Sequence, residues 1–190
     1  MSEGPSVREQ ILAAAIEAAT VHGITKLSMG DVARQAKLSR QTLYRHFPSK
    51  DALIAAVVAA ETDALIAEVV EAGAEHDDPR DALEAALVAA LTATRDHPLL
   101  DRLIRTEPEA LLPLLLTDGG PVMARVRGVV DAILEDRGLA PDPAVRRRLA
   151  DIVTRLLVSY AVSAPDDPPG VVAEAIATFL THGALHGVLR

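Results

Sequence analysis

The chain has 190 residues, 49% of them hydrophobic, with two Tyr, two Phe, no Trp and no Cys. Such a core of Ala, Leu, Val and Ile favours close-packed helices over a β-sandwich, and the lack of cysteine excludes a disulfide framework and thiol chemistry. The net charge of −8 is unevenly spread: residues 1–50 hold seven Lys/Arg against four Asp/Glu, and residues 51–190 hold twelve against twenty-three. A basic head on an acidic body is repelled from phosphate except at one end, which suits DNA binding.

The first residues have neither a basic n-region nor an apolar h-region, so no signal peptide is expected. Uncharged runs such as residues 85–94 fall well short of the roughly 20 residues that span a bilayer. No membrane association is expected, and a cytoplasmic location fits.

The first helix is expected from residue 5 or 6 to residue 22, with Gly23 as its stop. Val7, Ile11, Leu12, Ala15, Ala18 and Ala19 give it a wide apolar stripe. Ser28 is a candidate N-cap, with Asp31 three residues on in a capping-box arrangement, for a helix over residues 29–36 that buries Val32, Ala33 and Ala36. Ser39 caps a third helix over residues 40–46, where Leu43 and Phe47 point one way. Arg40 with Tyr44, and Gln41 with Arg45, occupy the other faces. A helix of two turns is unstable alone. Pinned by one Leu and one Phe, with donors and cations projecting outward, it meets the requirements of a helix laid in a DNA major groove.

At this point the chain resembles the helix-turn-helix of TetR-family transcriptional regulators. The matching residues are Leu27, Ser28, Asp31, Val32, Ala33, Ala36, Leu38, Ser39, the run from Thr42 to Phe47, Lys50 and Leu53. The resemblance implies an all-α fold with a three-helix DNA-binding head over residues 1–48. A helical ligand-binding and dimerisation body would follow over residues 49–190. It also implies three partners: double-stranded DNA, a second copy of the chain, and a small hydrophobic effector that releases a palindromic operator.

Two departures from the family pattern carry consequences. Lys37 stands where the turn usually has Gly, so a non-Gly residue is expected at positive φ. Gly30 stands where some relatives place a DNA-reaching side chain, which shifts base reading onto Arg40 and Gln41. Arg favours guanine O6/N7 and Gln favours adenine N6/N7. Thr42, Tyr44, His46 and Lys50 match backbone-contacting positions of relatives, and Lys37 and Arg45 add phosphate contacts.

Ser49 caps a long helix expected to residue 72 and ended by Gly73, with Ile54, Val58, Leu65 and Val69 on its apolar stripe. Glu61 falls on that stripe beside Thr62. A partly exposed carboxylate, or one paired with a body arginine, is favoured over a ligand-facing group, because an unpaired buried carboxylate is costly. Prolines then open each element: 79–96, a short helix to 105, a piece from 108 interrupted by Pro113, then 121–137, 142–163 and 170–187. If the body holds a cavity, Glu61, Thr62, Thr94 and Tyr160 are the candidate polar groups. With Tyr160 and Phe179 the only rings beyond the head, its walls must be aliphatic, which disfavours flat cationic ligands.

Leu149, Val153, Leu156 and Tyr160, with Ile152 and Leu157, form one stripe, and Val172, Ile176, Phe179 and Gly183 form another. They are read as a dimer interface, the alternative being cover for the protomer's own core. His182 and His186 are i,i+4 but lack a third ligand, so solvated histidines near a helix end are favoured over a metal site. His97 beside Pro98 is read as a loop histidine. No nucleophile elbow, phosphate-binding Gly loop or metal cluster is found, and neither cofactor nor catalytic residue is expected. Two further classes stay open: a DNA-binding regulator whose body takes a protein partner, and an enzyme on a helical scaffold.

Overall fold

A computed structural model describes residues 4–116, 120–138, 140–163 and 166–180. The described residues form ten α-helices and no strand: α1 Val7–His22, α2 Met29–Gln35, α3 Arg40–His46, α4 Lys50–Ala74 and α5 Pro79–Asp96. There follow α6 Pro98–Thr106, α7 Pro108–Leu116, α8 Pro121–Asp136, α9 Pro143–Val162 and α10 Pro169–Phe179.

Local chemistry accounts for most of the boundaries. Ser6 and Glu9 close a reciprocal capping box at the start of α1, and Gly23 ends that helix at φ +92°. Ser39 Oγ accepts the Thr42 N–H, Ser49 Oγ the Ala52 N–H, and Asp78 and Asp142 cap α5 and α9 just ahead of a proline. Lys37 adopts φ +55°. The Leu38 N–H bonds to Ala33 O and the Lys37 N–H to Arg34 O, so α2 ends in a Schellman motif with lysine in the position glycine normally takes.

Three local expectations are corrected. Ser28 makes no side-chain cap on α2; Asp31 instead pairs with Arg34 on the same exposed face. Pro113 does not interrupt its element but sits inside α7, which Leu111 and Leu115 anchor in the core. Gly73 does not stop α4, which continues to Ala74. A Cβ at Gly73 would lie 3.2 Å from Ala82 O and 3.4 Å from the Ala86 Cβ. Glycine is there to let α4 and α5 cross closely, not to end a helix.

The core has two parts. The larger joins Ile11, Val32, Leu43 and Phe47 of the head, through Leu53 of α4, to Leu99, Leu103, Leu111, Leu115, Met123 and Val158 of the body. Head and inner body therefore share continuous apolar packing through α4, α6 and α7. The smaller part packs Leu87 and Leu91 of α5 against Val172, Ala173, Ile176 and Ala177 of α10. Ion pairs stitch the outside: Arg125 to Asp63 at 2.7 Å between α8 and α4, and Arg146 to Asp131 and Glu135 between α9 and α8. None of the described helices is long and apolar enough to cross a membrane.

Candidate nucleic-acid interface and body cavity

Leu43 and Phe47 are 0% and 2% exposed, which fixes how α3 faces the head core. The Thr42 hydroxyl is held 2.9 Å from the Ser39 hydroxyl at the helix start. Arg40, Gln41, Tyr44 and Arg45 are left exposed on the outer side, with Lys37 exposed at the turn and Thr42 and His46 half-buried. Tyr44 is 49% exposed, unusual for a ring that has a core beside it. The Arg40 guanidinium lies across the start of α2, where a Cβ on Gly30 would come within 2.6 Å of it.

Lys50 is engaged inside the head: its Nζ donates to Thr25 O at 2.6 Å, tying the start of α4 to the turn between α1 and α2. The same turn is gripped from the body. Glu107, between α6 and α7, accepts the Ile24 N–H at 2.8 Å, the Thr25 N–H at 3.2 Å and the Thr25 hydroxyl at 2.8 Å. Burial pushes the Glu107 pKa up, but the bonds from Thr25 and Ile24 and the charge of Arg102 outweigh it and hold the carboxyl below the usual range. Gly23 makes room for this carboxylate, since any Cβ there would collide with Glu107 Oε1. Sequence reasoning missed Glu107, and its only local signal was a proline after it.

The opposite end of α6 reaches a cavity of about 690 Å³ enclosed by α4 to α9. α4 lines it from Val58 to Ala74, in steps of three and four residues, so the cavity follows roughly 24 Å of helix at about 1.5 Å per residue. Among the described residues no Phe, Tyr or Trp lines it, and its polar lining is Glu61, Thr62, Thr94, His97, Asp136 and Arg137. Glu61 is neither simply exposed nor paired with an arginine: its Oε2 lies 2.9 Å from His97 Nε2. His97 is no free loop histidine, because its Nδ1 accepts the Leu100 N–H at 3.2 Å and so caps α6. Tyr160 is not among the lining residues and packs instead against the cluster of α5 and α10. Among the described residues no group of three or more His, Cys, Asp or Glu is placed to hold a metal.

The sequence matches the description "Bacterial regulatory proteins, tetR family" over residues 11–57 and "Bacterial Tetracyclin repressor, C-terminal domain" over residues 78–182. The chain belongs to the TetR family. An uncharacterized HTH-type transcriptional regulator of Mycobacterium tuberculosis is 30% identical over 154 residues, covering 80% of this chain and 72% of that protein. The HTH-type transcriptional regulator AlkX of the same species is 24% identical over 97% of this chain and 88% of its own length. Among solved structures, a TetR family repressor AlkX from Dietzia sp., implicated in biodegradation of n-alkanes, superposes with a TM-score of 0.77. It is 25% identical, and each chain is covered completely. The protein is thus a TetR-family transcriptional regulator with a helix-turn-helix.

In this TetR-family body, the two stripes read from the sequence turn largely inward. Val172 and Ile176 are buried against Leu87 and Leu91, while Leu149 and Val153 line the cavity. Leu156 and Tyr160 are half-buried beside the same cluster. Phe179 faces out at 65% exposure, joined by Val171 at 56% and Ile152 at 52%. Gly183, His182 and His186 lie outside the described residues.

Proposed function

We propose that this TetR-family regulator is a homodimeric repressor of a palindromic operator, released when a small aliphatic compound fills the body cavity. The observation that carries this reading is the aliphatic cavity itself: it follows α4, whose first residue, Lys50, is bonded to the turn between α1 and α2. Arg40 and Gln41 read base edges, while Lys37, Thr42, Tyr44, Arg45, His46 and Lys50 meet the DNA backbone. Half-sites about one helical turn apart match the two-fold symmetry of the dimer.

Dimerisation uses the outward faces of α9 and α10. Ile152, Val171 and Phe179 are large apolar residues exposed on α9 and α10, which on a stable protomer calls for a covering partner. Leu156 and Tyr160, half-buried on α9, belong to the same proposed face. The Dietzia repressor's association with n-alkane degradation supports an aliphatic effector here as well. Filling the cavity displaces α4 and α6 together, and both are bonded to the turn under α2, so the spacing of the two heads changes.

Fluorescence anisotropy on a palindromic duplex, obtained by selection from random DNA, tests this. Medium- and long-chain aliphatic compounds are expected to lower operator affinity, and Thr62→Leu, which thickens the cavity wall, to blunt that response. Release by a planar polycation but by no aliphatic compound would refute it.

A further inference from the structure

The polar groups inside the cavity can be sorted by what they still have to offer a ligand. The Thr62 hydroxyl donates to Val58 O at 2.7 Å, and the Thr94 hydroxyl to Ala90 O at 2.7 Å. His97 spends its Nδ1 lone pair on the Leu100 N–H and holds its Nε2 2.9 Å from Glu61 Oε2. A neutral imidazole has one donor and one acceptor: here the acceptor is taken by Leu100 and the donor side is set against the Glu61 carboxylate rather than the open cavity. What faces the cavity is therefore the second oxygen of the Glu61 carboxylate and the lone pairs of two threonine hydroxyls. All of these are acceptors. Among the described residues the only Lys or Arg on the lining, Arg137, lies exposed at the far end beside Asp136.

Among the described residues beside Glu61, a ligand head that is itself only an acceptor meets no donor, and one with a negative head meets a carboxylate. We infer that the cavity selects an aliphatic chain ending in a hydrogen-bond donor, a primary alcohol, over the corresponding carboxylate or ester. The hydroxyl proton is donated to Glu61, the one interaction with the wall that neither the carboxylate nor the ester can make. Glu61 and His97 lie 16–23% exposed, deep enough for an unpaired acceptor on the ligand to be costly.

Space is not what discriminates. A bilayer's hydrocarbon core of about 30 Å holds two acyl chains end to end, so one chain takes about 15 Å and fits along the cavity whichever head it bears. Selection falls on the head group, and Glu61 is the residue that sets it. This rests on the aliphatic-effector reading above and adds to it the chemistry of the recognised end.

The test is calorimetric titration of the full-length protein with dodecan-1-ol, dodecanoate and methyl dodecanoate, at a pH where the acid is ionised. The alcohol is expected to bind at least about tenfold more tightly than either analogue, as sites built around one hydrogen bond discriminate. Glu61→Gln keeps an acceptor for His97 but turns an amide donor to the cavity. It is expected to weaken the alcohol and strengthen the ester, narrowing or reversing the ratio. If dodecanoate matches the alcohol, through Arg137 at the rim, or if Glu61→Gln leaves the ratio unmoved, the inference falls while the aliphatic-effector reading stands. If none of the three compounds binds, both fall. A circular dichroism spectrum matching wild type separates a change of selectivity in the variant from a failure to fold.

Discussion

Glu107 is the residue through which the body holds the head, and removing it is the sharpest test of that contact. Glu107→Ala deletes three hydrogen bonds to Ile24 and Thr25 and leaves the Ile24 N–H, in a residue 3% exposed, without its partner. Bonds to a charged acceptor contribute about 1.5–3 kcal/mol each when dry and much less when solvent screens them. For this partly exposed carboxylate the three together are worth about 2–3 kcal/mol. In a domain of this size that lowers Tm by roughly 5–10 °C. The loss depends on pH in a defined direction. The folded carboxyl is held below its ordinary value, so its stabilisation is complete above the unfolded glutamate pKa of about 4.3 and disappears as pH falls through the folded value. Differential scanning calorimetry of wild type and variant, at neutral pH and down into the acid range, should show two Tm values that converge on acidification. An offset below about 1 °C at neutral pH, or one that persists undiminished in acid, would refute the reasoning.

Arg40→Ala should cost about 1–3 kcal/mol of operator binding and relax preference at one base position, as read by selection from randomised sites. Lys50→Ala should weaken binding to all sequences alike and flatten the salt dependence, and, because Lys50 also bonds to Thr25 O, it should lower Tm as well. Ile152→Glu with Phe179→Glu should give monomers by sedimentation velocity without harming the fold, since both residues are exposed on the protomer. A glutamate at Ile176, by contrast, would open the protomer's own core against α5 and would not report on assembly.

What the sequence reveals about this molecule is what local chemistry writes into short windows. Ser39, Leu43 and Phe47 mark the span of α3 by cap and spacing, and a lysine in a glycine's turn position announces its own positive φ. The outward set on α3 follows from the same few residues. The Glu107 grip is invisible to such reasoning, because its partners lie 82 and 83 positions away and no periodicity connects them. The Glu61–His97 contact and the reason for Gly73 are hidden likewise, at shorter separations, because both depend on how α4 packs against later helices. The dimer stripes show a related limit. A helix with apolar residues on more than one side does not say which side meets its own chain, and only the packing of α10 on α5 decides it for Val172 and Ile176.

The bare backbone at Gly30 has an evolutionary consequence. Any side chain introduced there would add a group at the start of α2 and at the same moment push the Arg40 guanidinium out of the space it occupies. The guanidinium is the end of a flexible side chain and can move aside, so the two positions are coupled through where it settles rather than through a fixed clash, and their substitutions are expected to be non-additive. On the proposed reading, a change at residue 30 would also alter where Arg40 can reach.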